Sequence, residues 1–235
     1  MTTTLPSGTT LHRAADRGVS DFGWLTSRHS FSFGRFQDPR RVGVRSLRVL
    51  NDDIVDPGAG FTEHGHDNME IISWVLEGAL EHRDSTGTRG VIRPGDVQVM
   101  SAGRGIRHSE MNASRTEPVH FLQIWIEPDE RNTPPAYADR TFDAAGRRNQ
   151  WQTIVGGDGA PIRQDVTISV ADMEAGQQLS QRVAAGRTGY LHVVDGHIRV
   201  DGVELSTGDA LERSTADDLT IDAASASQVL FFDLA

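Results

Sequence analysis

The sequence predicts an all-β protein with two similar antiparallel halves, each a sandwich or barrel, and three observations carry that prediction. Short β-branched runs alternate apolar and polar residues and are punctuated by turn residues, with 24 glycines in 235 residues. No stretch shows the 3.6-residue recurrence that marks an amphipathic helix. The chain also repeats itself: SWVLEGALEHRDSTG in the first half resembles LHVVDGHIRVDG in the second, which aligns Gly78 with Gly196. A Gly-Asp turn follows each copy, Gly95-Asp96 and Gly208-Asp209. The expected boundaries are an N-terminal domain over 1–133, a linker over 134–150 and a C-terminal domain over 151–235.

Taken in order, residues 10–36 read as an early hairpin region. Within it RHSFSFG alternates Phe31 and Phe33 against Ser30 and Ser32, as a half-buried strand does, and His29 falls on the phenylalanine face. A partly buried histidine with a backbone partner is the expectation for His29, in preference to a metal ligand. VRSLRVLNDDIV (44–55) is a strand ending at the turn DPGAG. EGALEHRDSTGTRG reads as a hairpin turning near Asp84–Gly87, and VHFLQIWI (119–126) as a buried strand. Residues 127–150 are polar, carry the pair Pro134-Pro135 and lack an apolar stripe, which suits a connection between domains. Strands resume after Trp151.

Composition narrows the function. Acidic residues outnumber basic ones 33 to 23, for a net charge of -10, which argues against a surface that tracks nucleic-acid phosphates. The chain has no cysteine, so disulfides, thiolate metal sites and cysteine nucleophiles are excluded. The stretch MTTTLPSGTTLHR has no apolar core of signal-peptide length and no run approaches a membrane span, so a cytoplasmic location without membrane contact is the expectation.

The chemistry concentrates between Phe61 and Asn112. FTEHGHDNME holds His64 and His66 one residue apart, and AGRGIRHSEMN holds His108 and Glu110 with the same spacing. Side chains alternate along a strand, so each pair presents two donors to one face. Two such strands side by side bring three imidazole nitrogens and one carboxylate oxygen together, a set suited to a divalent first-row ion. Fe(II) is the leading expectation, with Mn, Co, Ni, Cu and Zn as alternatives. The same offsets carry His64 and His66 onto Arg182 and Ala184, and His108 and Glu110 onto Ile221 and Ala223, so the second barrel lacks all four donors. Extending the alternation past His66 puts Glu70, Ile72 and Trp74 on the donor side.

These blocks resemble known motifs. His64, His66, Glu70 and Gly78 resemble the first cupin motif, and Gly105, His108 and Asn112 the end of the second. More specifically, GFTEHGHDNMEIISWVLEGALEHRDSTG with PGDVQVMSAGRGIRHSEMN is similar to the pirin family of two-cupin proteins, as are EPDERNTPPAY and SRHSFSFG. The resemblance implies two jelly-roll (double-stranded β-helix) barrels and the ligand set His64, His66, His108 and Glu110. Glu70, a ligand in a generic cupin, becomes a buried neighbour in this family. Gly65 stands where the family often has proline.

The resemblance also implies an activity. Bacterial members resemble quercetinases, which open the central ring of the flavonol quercetin with dioxygen and release carbon monoxide. Other members are described as metal-dependent, non-catalytic regulators that act through protein partners. The expectation for this chain is a flavonol 2,3-dioxygenase with O2 as co-substrate, Glu110 as ligand and catalytic base, and ring-flanking walls from Phe61, Ile72, Trp74 and Met100.

Overall fold

The computed structural model describes residues 5–235; the first four, part of the stretch read as lacking a signal-length apolar core, lie outside it. Apart from two 3-10 turns, the regular elements of the described residues are β-strands, in the two-barrel arrangement the sequence predicts. One compact unit comprises Arg17–Phe142 and Ala160–Gln164. The other comprises the described residues up to Asp16, Asp143–Gly159 and Asp165–Ala235.

The N-terminal barrel faces a seven-stranded antiparallel sheet with a four-stranded one. The larger sheet runs Ala136–Thr141, Asp96–Ser101, Glu70–Glu77, Val119–Ile126, Leu47–Val55, Leu25–His29 and Gly18–Asp21. The smaller runs Gly60–His66, Ile106–Asn112, Leu80–Asp84 and Arg89–Ile92. Their inner faces meet in a core of Leu25, Val55, Val75, Leu80, Ile92, Val119 and Phe121. Burying each such side chain contributes about 1.5–3 kcal/mol.

The C-terminal barrel repeats the plan. Its four-stranded sheet is ordered Gln178–Val183, Asp217–Ala223, His197–Val200 and Val203–Ser206, strand for strand the order of the first. The aligned glycines hold equivalent turns. Gly78 has φ +77°, and a Cβ there would lie 2.5 Å from the Pro118 carbonyl; Gly196 has φ +95° and an equally tight approach to Ser227.

Three segments depart from the expected boundaries. Thr9–His12 pairs with Ala210–Arg213 and belongs to the C-terminal barrel. Ala136–Thr141, inside the expected linker, lies on Asp96–Ser101 and closes that edge of the N-terminal sheet. An uncovered edge presents unpaired backbone groups, and an edge strand buries little of itself, which is why its sequence looks like a linker. Ala160–Gln164 returns to the N-terminal unit, where the Gln164 side chain donates to the Glu127 carbonyl (2.7 Å). The RHSFSFG strand is also shorter than expected and ends at His29. Phe31 is buried beyond it, and Phe33 pairs with Phe36 in a tight bridge.

Candidate metal centre and adjoining cleft

The two donor strands lie side by side. His108 is directly opposite His64, and Ile106 opposite His66, so alternation puts all three imidazoles on the inner face. Between His108 and Glu110 the register shifts and Glu110 falls opposite Phe61, because Gly60–His66 holds one extra residue there. Gly60 permits the shift: it has φ +156°, and a Cβ would sit 2.4 Å from the Glu110 carbonyl oxygen.

The ring centroids of His64, His66 and His108 are 4.5–4.9 Å apart, and their donor atoms lie within 4.8 Å of one another. His64 Nδ1 donates to the Thr62 carbonyl at 2.8 Å, leaving Nε2 as the lone-pair nitrogen. His108 is buried, and neither ring nitrogen has a hydrogen-bond partner. Burial, reinforced by the neighbouring His64 ring, holds His66 down at about 4 and His108 at about 2. Both imidazoles are therefore neutral donors at ordinary pH, the form a cation takes. A buried histidine with two unpaired nitrogens is costly unless something else occupies them. The three imidazoles therefore fit a divalent ion, while Glu110, the expected fourth donor, is not part of this cluster.

Glu110 lies in the adjoining buried layer. Ser73 Oγ donates to Oε1 at 3.0 Å and Gln123 Nε2 to Oε2 at 2.6 Å. Burial pushes its carboxyl up, opposed by the nearby His82 and by these two donors. A second donor cluster joins His82, His108 and Glu110, also within 4.8 Å. His82 faces Glu110 directly across the pairing of Leu80–Asp84 with Ile106–Asn112.

A cleft of about 360 Å³ opens onto the donors, within the range that holds small organic ligands. Phe22, Leu25, Phe33, Phe61 and Trp125 give it apolar walls, and the Trp125 ring meets His66 edge-on at 4.9 Å. Ser20, Ser27, His29, Asn51 and Asp53 supply a polar strip. His29 is buried there with side-chain partners, not the expected backbone one: Asn51 Oδ1 at 2.9 Å and Ser20 Oγ at 2.8 Å. Burial lowers its pKa. Asp53 accepts a hydrogen bond from Ser27, yet burial raises its carboxyl to about 7.

Of the expected walls, only Phe61 lines the cleft. The turn at Asp67-Asn68, with Asn68 at φ 48°, carries the chain from one sheet to the other and breaks the alternation counted from His66. Ser73 thus faces Glu110, and Ile72 and Trp74 point to the opposite face. Met100 packs with Ile71, Ala102 and Ile106 in a separate cluster. Glu70 sits apart from the donors, accepting from Ser101 Oγ at 2.6 Å and from the Arg163 amide at 3.2 Å. Gly65 keeps an ordinary backbone, so the missing proline removes no donor.

For the second donor pair the structure moves the expected repeat register by two residues. Glu110 faces His82 as Ile221 faces Val200, so Leu219 and Ile221 stand opposite His108 and Glu110. Likewise Leu191 pairs with Leu211 and Phe231 where Ser73 pairs with Gln98 and Gln123. Val200, Leu219, Ile221, Leu191, Leu211 and Phe231 all belong to the C-terminal core. One frame thus encloses a polar donor set in one barrel and a hydrocarbon core in the other.

Fold and site together define a two-cupin protein with a histidine-rich donor cluster in its N-terminal barrel. The pirin profile matches residues 11–126, and one described as the quercetinase C-terminal cupin domain matches residues 155–234. A quercetin 2,3-dioxygenase of Escherichia coli is 41% identical over 225 residues, covering 95% of this chain and 97% of that protein. A pirin-like protein of Caulobacter vibrioides is 37% identical, covering 93% and 96%. The crystal structure of the E. coli bacterial pirin YhhW in complex with nickel(II) superposes with a TM-score of 0.91 at 39% identity, covering 96% and 98%. The chain belongs to the pirin family.

Proposed function

We propose that this protein is a metal-dependent dioxygenase that cleaves a flavonol such as quercetin, with O2 as co-substrate. The observation that carries the reading is an aromatic-walled cleft that ends on the His64, His66 and Glu110 side chains, with His108 behind them. Its likeness to a relative named quercetin 2,3-dioxygenase supports the choice of substrate. His64, His66, His108 and Glu110 would hold one divalent ion, Fe(II) in the first instance. That ion supplies Lewis acidity toward a substrate hydroxyl and a route for electrons to dioxygen.

The remaining work falls to the chain. Phe22, Phe33, Phe61 and Trp125 bind the planar rings and exclude water from the reacting face. His29, Asn51 and Asp53 offer donors and acceptors to the ring hydroxyls. Glu110 takes the proton of the hydroxyl that becomes the enolate. Ser73 and Gln123 keep its oxygens aimed. Metal-loaded protein mixed with quercetin should consume oxygen and bleach the flavonol absorbance. No turnover with Fe, Mn, Co, Ni or Cu in a filled site refutes the proposal and favours a non-catalytic regulator.

A further inference from the structure

His82 is the one fully buried histidine of the N-terminal barrel that the proposed ligand set leaves unused, and three observations make it more than packing. The first is its orientation. Nε2 lies 3.1 Å from Asp84 Oδ2, and both side chains are completely buried. Asp84 is itself fixed, because its Oδ1 accepts from the Thr86 amide at 2.8 Å and the Thr86 hydroxyl at 2.6 Å. The Tyr137 ring stacks on the imidazole at 4.9 Å and 30°. A carboxylate that accepts a hydrogen bond from Nε2–H leaves Nδ1 with its lone pair, the arrangement that orients histidines toward metals.

The second observation is where that lone pair goes. His82 Nδ1 is buried with no hydrogen-bond partner, and the donor atoms of His82, His108 and Glu110 lie within 4.8 Å of one another. Ligands about 2.1 Å from one ion lie at most about 4.2 Å apart, so the cluster needs only a small closure. The third is the internal control: the position equivalent to His82 in the C-terminal barrel is Val200, within the apolar core. The fold does not need a histidine there.

We propose that His82, His108 and Glu110 form an inner cation position, deeper than the His64–His66–His108 cluster, sharing His108 with that cluster and Glu110 with the ligand set proposed above. The proposal rests on the metal-binding part of the function above and not on the flavonol. Because both positions use His108, one chain holds one ion at a time. Half-buried His64 and His66 give the outer position its access to the cleft, whereas the inner set is buried throughout.

The test is a Co(II) titration of four full-length proteins against a competing chelator, read by the cobalt d–d spectrum and bound stoichiometry. Circular dichroism and thermal melts confirm the fold of each. Wild type should bind one Co(II). A His64→Ala/His66→Ala double variant should still bind one, about 10–100-fold more weakly and with an altered spectrum. Adding His82→Ala should abolish that residual binding. Adding Asp84→Asn in its place, which keeps the histidine, should weaken it about 10-fold or more. The inner position is overturned if the folded double variant binds no cobalt while wild type does, or if binding survives His82→Ala. Wild type that binds no cobalt overturns the whole metal reading, a different result from either.

Discussion

Asp53 gives the sharpest quantitative expectation. Its carboxyl is 2% exposed, lines the cleft, and is raised from 3.8 to about 7 by burial, against a hydrogen bond from Ser27 and with Asp52 and Glu110 adding to the rise. A folded-state pKa above the unfolded one means that the native protein holds a proton the unfolded chain has released. The associated stability is complete below 3.8 and is lost as pH rises to about 7. Across the full window the loss is about 4 kcal/mol, of which about 1 kcal/mol has been incurred by pH 4.5. Asp53→Asn keeps an acceptor for Ser27 and removes the charge. Relative to wild type, the variant should therefore gain about 3 kcal/mol between pH 4.5 and pH 8. Urea unfolding of chelator-treated protein at both pH values measures this, because Trp24, Trp74 and Trp125 report on the N-terminal barrel. A wild type-to-variant difference that does not change with pH would refute the reasoning.

Two further substitutions probe the frame and the cleft. Asn112 Nδ2 donates to the Val55, Asp56 and Glu117 carbonyls at 2.9–3.1 Å, so Asn112→Ala strands buried acceptors and should cost about 1–3 kcal/mol in urea unfolding. Phe61→Ala removes an aromatic wall beside His64 without touching a donor; quercetin KM should rise about 10-fold while kcat stays within a few-fold, measured by flavonol bleaching.

The donor pairs were legible in the sequence because alternation along a strand is strict over one or two residues, and both His64/His66 and His108/Glu110 lie within single strands. The repeat was legible because Gly78 and Gly196 hold the same left-handed turn. What failed were inferences carried across turns. Ile72 and Trp74 were placed by counting through Asp67-Asn68, where the chain changes sheets. The two-residue slip onto Ile221 and Ala223, in place of Leu219 and Ile221, comes from counting through a whole hairpin without its pairing. The cleft walls Phe22, Phe33 and Trp125 come from three separate segments, which no local pattern brings together. His82 gave none: a lone histidine in EHRD acquires meaning only when strand pairing sets it against Glu110. The pairing of Thr9–His12 with Ala210–Arg213 joins segments far apart in sequence and leaves no local mark.

The most direct test of the central claim is the metal content of the purified protein beside His64→Ala and His108→Ala variants. The arrangement of His64, His66, His108 and Glu110 predicts one first-row ion per wild-type chain. It predicts an affinity at least about 10-fold lower in each folded variant, with the greater loss in His108→Ala because both donor clusters use that ring. Unchanged metal content and affinity in the two variants would place the ion elsewhere and contradict the account.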